Sequence, residues 1–199
     1  MKQTLILFFT AILCQSAFTQ EKTEGFDWNK TFIGGSVVLG YSAGINSRFT
    51  IGANPEIGYS IFKSVDLGLC GNYIYTGSSY TDGSITDKTN ITLSGLGIFS
   101  RIHITDGIFA HFQPEFNTIK YKRFIKENGY VIDEGSLKSS SFLVGIGYGT
   151  HDVGNMNFFT LILIDLQKDK YSPYRTYNGD ISPVFRSGIN FYFGRKGKK

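Results

Sequence analysis

The sequence predicts an all-β fold, an eight-stranded antiparallel up-and-down β-barrel. Three observations predict it: eight segments have strand character, the connections between them are alternately short and long, and amphipathic helical spacing is nowhere sustained. The composition agrees with a packed fold. Of 199 residues, 16% are aromatic and only 18% are charged, a balance that excludes intrinsic disorder.

A leader precedes the predicted barrel. Residues 1–19 read as a secretory signal peptide, in which Lys2 gives a positive start, 5–13 form an apolar run, and Ala17 and Thr19 make a small-residue cleavage site after residue 19 or 20. The segment is too short to span a membrane as a helix. We therefore expect an exported protein in which Cys70 is the one remaining cysteine, with no intramolecular disulfide.

The barrel domain is predicted over residues 30–194. Five strands alternate clearly between apolar and polar residues: 31–43, 48–62, 65–76, 108–118 and 185–193. Three more alternate weakly, so that their facing stays open: 91–104, 139–150 and 157–166. Pro55 and Pro114 lie on the apolar faces of strands two and five. Because proline removes a ladder donor, we expect bulges or local kinks at both positions.

The connections differ in length at the two ends of the predicted barrel. Tight turns are expected at 62–65, 105–107 and 151–156, and long polar loops at 77–90, 120–138 and 167–182. Only the first loop, 44–47, is short where a long one is expected. This asymmetry is typical of an outer-membrane barrel, and an even number of strands places both termini at the tight-turn, periplasmic end.

Composition indicates which face is outside. The polar faces carry glycine, serine, threonine and asparagine with few charges, which suits the narrow, filled interior of an eight-stranded barrel. The other face carries aromatic residues near strand ends, as membrane girdles require. These are Tyr41, Tyr59, Tyr73, Tyr75, Phe191 and Phe193. We expect a transmembrane barrel; the alternative is a soluble lipocalin-like ligand binder, which has the same number of strands.

Charged and amide side chains share the polar face of several strands. They are Arg48, Asn54, Glu56, Arg101, Gln113, Glu115 and Arg186. Because buried charges must be paired, the sequence predicts an interior network that closes the lumen. His103, His111 and His151 lack a nucleophile motif and metal-ligand spacing, so no catalytic, cofactor or metal site is predicted. The alternative from another class is a lipid-modifying outer-membrane enzyme, such as a lipid A deacylase or acyltransferase.

The long loops are the better candidates for contact with a ligand. Basic and aromatic residues interleave in the third loop, and tyrosines recur in the fourth, which suits contact surfaces. The candidate residues are Tyr121, Lys122, Arg123, Phe124, Tyr171, Tyr174 and Tyr177. The plainer alternative is a strand that continues above the membrane. The net charge of +4 owes most to a basic tail at 195–199, so no nucleic-acid partner is expected.

Four segments carry a resemblance to a known family: Pro-Glu-Ile-Gly-Tyr at 55–59, Phe99-Ser100-Arg101, residues 161–176, and the closing run 185–193. The chain resembles the small porin-family outer-membrane β-barrels of Bacteroidetes-type bacteria, which are related in architecture to OmpX and the OmpA membrane domain. The resemblance implies a non-enzymatic protein in contact with outer-membrane lipid and lipopolysaccharide. It also implies that the barrel assembly machinery reads a terminal aromatic; Phe193 matches, but six residues follow it.

Overall fold

The computed structural model describes residues 26–42, 46–82, 85–175 and 180–194. The predicted signal peptide 1–19, the tail 195–199, Tyr177 and residues 44–45 of the first loop lie outside the described residues. A short 3-10 helix, Trp28–Lys30, precedes the strands. The strands are β1 Thr31–Ser42, β2 Asn46–Phe62, β3 Val65–Asp82, β4 Ile85–His103, β5 Ile108–Ile125, β6 Val131–Gly149, β7 Met156–Asp165 and β8 Val184–Tyr192.

The eight strands form a closed barrel, which confirms the predicted fold class. Each strand pairs antiparallel with the next one along the chain. β1 pairs with β8, with Phe32 opposite Tyr192, and this ladder closes the ring. Within the described part of the chain, no helix combines the length and the hydropathy that a membrane crossing needs.

Alternate residues of each strand point into and out of the barrel, because the side-chain period of a strand is two. On β5 the buried residues are Phe109, His111, Gln113, Glu115 and Asn117. The structure gives the facing of β4, β6 and β7, which the sequence left open. Phe99, Leu143 and Leu163 are buried inside, whereas their neighbours Ile98, Phe142 and Ile162 are exposed outside.

Two of the predicted long loops are strand instead. β3 continues to Asp82 and β4 begins at Ile85, so 77–90 is a hairpin. β5 continues to Ile125 and β6 begins at Val131, so most of 120–138 is also strand. The polar residues there satisfy their backbone groups in antiparallel ladders, which need no apolar face to form. The described parts of the remaining long loop, 167–175 and 180–182, belong to no named strand, and an isolated bridge joins Arg175 to Ile181.

The strand lengths make the barrel wall uneven. β3 to β6 contain 18 or 19 residues each, whereas β7 and β8 contain 10 and 9. A bilayer is spanned by ~9–11 tilted residues. The two central hairpins therefore rise well beyond the short strands, at the end opposite the tight turns.

The predicted bulges at the prolines are wrong. The β2–β3 ladder has the same register at Ala53–Tyr73 and at Glu56–Cys70, with only the pairs of Asn54 and Pro55 missing between them. The β4–β5 ladder is interrupted in the same way beside Pro114. Each proline lacks an N–H, so the ladder loses a bridge there without gaining an extra residue.

Candidate functional site

A buried ion pair lies at the centre of the barrel lumen. Arg101 of β4 donates through Nη2 to both carboxylate oxygens of Glu56 on β2, at 2.8 and 2.7 Å. The guanidinium carbon lies 4.8 Å from the ring centre of Phe99 and 4.5 Å from that of Phe159. A cation over aromatic faces is stabilised by their quadrupoles. The charge of Arg101 is therefore compensated from several sides.

His111 extends this pair along β5. Arg101 Nε donates to His111 Nδ1 at 3.4 Å, so this ring nitrogen is the acceptor. The other nitrogen, Nε2, then carries the hydrogen and donates to Gln113 Oε1 at 3.0 Å. Both contacts agree with one neutral tautomer of His111.

Gln113 links the two charged halves of the network. Its Oε1 also accepts from Arg186 Nη1 at 3.2 Å, and its Nε2 donates to Glu115 Oε2 at 2.6 Å. Asn117 Nδ2 donates to the other Glu115 oxygen at 2.7 Å. Two arginines and two glutamates are thereby joined through amide and imidazole groups, which balances the formal charge inside the barrel.

The loop between β7 and β8 folds into the open end of the barrel. Tyr174 is 5% exposed and packs in a cluster with Leu143, Leu161 and Leu163. Arg186 Nη2 donates to Tyr174 Oη at 3.3 Å. Ser172 Oγ donates to Asp165 Oδ2 at 2.5 Å, which fastens the loop to the end of β7. The polar network therefore reaches from the strands into the loop above it.

The interior residues predicted from sequence do not all meet. Glu56, Arg101, Gln113, Glu115 and Arg186 belong to the network just described. Asn54 is buried but donates to Ser36 Oγ, at 3.2 Å, on the neighbouring strand. Arg48 is exposed and is not brought into the network. It has the inward phase but lies near the start of β2, opposite Ser42 and Ser78, at the end of the barrel away from the tight turns.

The residues predicted on the third loop, 120–138, lie in β5. The strand ends at Ile125, and the four residues directly before that end are Tyr121, Lys122, Arg123 and Phe124. Arg123 forms an ion pair with Asp87 of β4. Lys122 Nζ lies 3.3 Å from Glu134 Oε2, and both side chains are more than half exposed. These four residues are therefore presented by the paired β5–β6 hairpin and not by a loop.

The remaining predicted residues have different surroundings. Tyr171 is exposed, as expected of a surface residue, whereas Tyr174 is buried in the barrel and cannot contact an external partner. Its ring fills the space above the leucine cluster, which sequence phase cannot indicate for a loop residue. Phe193 directly follows β8, is 54% exposed, and lies with its ring 6.5 Å from that of Trp28.

One cluster is not predicted by the sequence. At the tight-turn end of the lumen, His103 Nε2 lies 2.9 Å from Asp66 Oδ2, and His151 Nε2 lies 3.3 Å from Asp66 Oδ1. The two imidazole rings stack with centres 3.6 Å apart. The three residues are far apart in sequence, so local spacing carries no signal. The topology does carry a signal, because each of the three residues lies at or beside a tight turn and all the tight turns lie at the same end of the barrel.

Comparison with solved structures gives a likeness in fold. No family model matches the chain, and no curated protein matches it. Among solved structures, the N-terminal β-barrel domain of Pseudomonas aeruginosa OprF is similar, with a TM-score of 0.40 and 13% sequence identity. The match covers 81% of this chain and 96% of that one.

Proposed function

We propose that this protein is a non-enzymatic outer-membrane barrel of a Gram-negative bacterium, closed along its lumen and active through its outer surface. The observation that carries the proposal is the buried network from Glu56 to Arg186. It occupies the lumen with paired charges, whereas a conducting pore needs a continuous aqueous path.

The outer face supports membrane insertion. On β5 the outward residues Ile108, Ala110, Phe112, Pro114 and Phe116 are all apolar and cover nine residues of strand. That matches the ~9–11 residues that span a bilayer. Beyond them the same face becomes polar. A soluble lipocalin-like barrel would instead present polar residues along this belt.

The packing of the lumen supports a closed barrel. The void enclosed by Arg101, His103, Phe109, Phe159 and Tyr192 measures about 10 Å³. A single water needs ~10–15 Å³, so this space holds at most one water molecule or ion. Eight-stranded barrels are in general just wide enough for side chains to fill them.

A group of lysines on the outer face suggests the surface partner. Lys120 and Lys138 are exposed and have the same outward phase as Phe116. Lys120 lies four residues beyond Phe116, which is about 14 Å along the strand. This height is that of anionic headgroups just above the apolar belt. The surface chemistry thus suits the phosphates of lipopolysaccharide.

The chain's family and topology form part of the same proposal. The closed eight-stranded ring fits the OmpX- and OmpA-like barrels that the sequence resembles, here of Bacteroidetes type. The termini Thr31 and Tyr192 of the barrel lie at the tight-turn end, which we assign to the periplasm. Phe193, exposed after β8, is the residue that we assign to recognition by the barrel assembly machinery.

Conductance measurements test the closed lumen. The refolded mature chain is added to a planar lipid bilayer, with an open general porin as the positive control in the same chamber. We expect no stepwise current. Stable channels that persist in the wild-type protein would overturn the proposal. Incubation of the same sample with lipid A and phospholipid tests the enzyme alternative. Turnover of either lipid that is lost in the His103→Gln variant would favour an enzyme.

A further inference from the structure

We propose that Asp66, His103 and His151 form a binding site for one divalent transition-metal ion, with Zn²⁺ as the ion that fits best. The inference does not rest on the proposed function. It concerns the tight-turn end of the lumen, away from the lysines on the hairpins. Two imidazoles and one carboxylate are a ligand set that zinc commonly takes in proteins.

The spacing of the ligand atoms fits one small ion. One ligand atom from each of Asp66, His103 and His151 can be chosen so that all three lie within 4.8 Å of one another. The two nitrogen–oxygen distances are 2.9 and 3.3 Å. In a tetrahedral site with bonds of ~2.0–2.2 Å, neighbouring ligand atoms lie roughly 3.3–3.6 Å apart. The two nitrogen–oxygen contacts therefore need only a small widening to hold an ion between them.

The void beside the cluster has the size of an ion and not of an organic ligand. Asp66, His103 and His151 all line the 10 Å³ void described above. An ion between them takes the position of the hydrogens that now join each Nε2 to the carboxylate. Each imidazole then carries its hydrogen on Nδ1 and coordinates through Nε2.

A second layer of hydrogen bonds holds the carboxylate in place. Ser60 Oγ donates to Asp66 Oδ1 at 2.7 Å, and Tyr192 Oη lies 2.7 Å from the same serine oxygen. Such outer partners orient metal ligands and raise affinity. The Ser60 hydroxyl is directed to the carboxylate, as a supporting group and not as a nucleophile paired with histidine.

The fold positions both histidines from rigid backbone. His103 ends β4, and its N–H donates to the Ser64 carbonyl in the turn opposite at 2.7 Å. His151 follows β6 in a connection fixed by Asn157, which accepts from the Asp152 N–H at 2.9 Å and donates to the Asp152 carbonyl at 3.0 Å. The backbone is therefore in place before an ion enters, and the two stacked rings need only tilt so that both Nε2 atoms point to the ion.

An entry path exists from the tight-turn end. A cavity of about 390 Å³ opens there and is lined by Lys63, His103, Asp106, His151 and Asp152, among others. Both histidine side chains are 10% exposed. The carboxylates of Asp106 and Asp152 attract a cation to this mouth, against the single positive charge of Lys63. The cavity also leaves room for a water as fourth ligand.

The donor set predicts selectivity as well as binding. Imidazole nitrogen suits zinc, copper and nickel, whereas magnesium and calcium prefer oxygen ligands. We therefore expect Zn²⁺ to bind in the presence of a large excess of Mg²⁺ or Ca²⁺. Co²⁺ should occupy the same position and report its geometry by visible absorption.

Metal titration of the refolded, tag-free mature chain tests the proposal. Zn²⁺ is competed against a chromophoric chelator in detergent micelles, and we expect one ion per chain. His151→Gln and Asp66→Asn should each weaken binding at least as much as the ~10–100-fold loss that follows removal of an outer-layer partner. The control is His111→Gln, which removes the histidine bonded to Arg101 and should leave the affinity unchanged.

A second readout keeps the test decisive if a ligand variant folds poorly. An ion that binds only the folded barrel raises the urea midpoint of the wild-type chain in proportion to the logarithm of its concentration. We expect this shift with Zn²⁺ and not with Mg²⁺. The proposal is overturned if wild-type protein takes up no Zn²⁺, or if His111→Gln lowers the affinity as much as His151→Gln does. Neither result depends on conductance or on lipid binding.

Discussion

Arg101 and Glu56 form a buried ion pair between strands that are not neighbours. Arg101 lies on β4 and Glu56 on β2, and the arginine reaches across β3 to donate to both carboxylate oxygens. The side chains are 3% and 8% exposed. The pair therefore ties β2 to β4 across β3 from inside the barrel, in addition to the ladders that join these strands at the wall.

Removal of one partner should be costly. Glu56→Gln leaves the Arg101 guanidinium buried without a countercharge, and we expect the free energy of unfolding to fall by about 3–5 kcal/mol. Urea-induced unfolding in detergent micelles measures the change. Arg48→Gln is the matched control, because this residue has the same phase on β2 but is exposed, and it should stay within ~0.5 kcal/mol of wild type.

The double variant Glu56→Leu with Arg101→Met separates pairing from packing. Apolar replacement of a complete buried pair is often neutral, so we expect the double variant to be more stable than Glu56→Gln alone. If Glu56→Gln unfolds at the wild-type midpoint, the network does not hold the barrel together.

Tyr174 should determine whether the β7–β8 loop stays in the barrel mouth. Tyr174→Ala removes a buried ring and a hydrogen-bond partner of Arg186, and we expect a loss of about 3–5 kcal/mol together with faster cleavage of the loop by thermolysin. Tyr171→Ala, three residues earlier and exposed, should leave cleavage unchanged. Equal cleavage of both variants would show that burial of Tyr174 does not anchor the loop.

Close approach of β6 and β7 predicts that glycine is required at position 145. A Cβ atom on Gly145 would overlap the carbonyl oxygen of Ile162 on β7. We expect Gly145→Ala to cost about 1–3 kcal/mol through overpacking and to lower the refolding yield. The control is Gly40→Ala on β1, where the nearest atom would lie at an ordinary 3.6 Å. A refolding yield for Gly145→Ala equal to that of the control would contradict the packing argument.

The surface lysines predict a measurable contribution to lipid binding. Each basic residue near an anionic surface is worth about 1 kcal/mol, so Lys120→Gln with Lys138→Gln should weaken binding of lipopolysaccharide by roughly 10- to 30-fold. Titration in detergent at low salt measures this. Lys63→Gln, at the tight-turn end, is the control. The assignment of this face to lipopolysaccharide fails if both variants bind equally.

Strand period was enough to predict most of the interior. Because side chains alternate along a strand, the sequence alone placed Glu56, Gln113 and Glu115 inside, as the structure does. The strand period does not indicate how far along the barrel axis a residue lies. Arg48 has the inward phase of Glu56 yet lies beyond the closed part of the wall, so its exposure could not be read from alternation.

Two other features depend on contacts that the sequence does not display. Polar hairpins such as 77–90 look like loops by composition, but their paired backbone makes them strand. The cluster of Asp66, His103 and His151 forms only when the closed ring brings the β2–β3 and β6–β7 turns to one end of the lumen. Residues 85 positions apart in the chain, Asp66 and His151, then come within 3.3 Å.

Envelope fractionation followed by electrophoresis in SDS, with and without boiling, tests the central claim most directly. A closed membrane barrel resists SDS until heated, so we expect recovery with the outer membrane and a mobility shift on boiling. A soluble periplasmic protein without such a shift would contradict the account, and its apolar outer belt would then need another explanation.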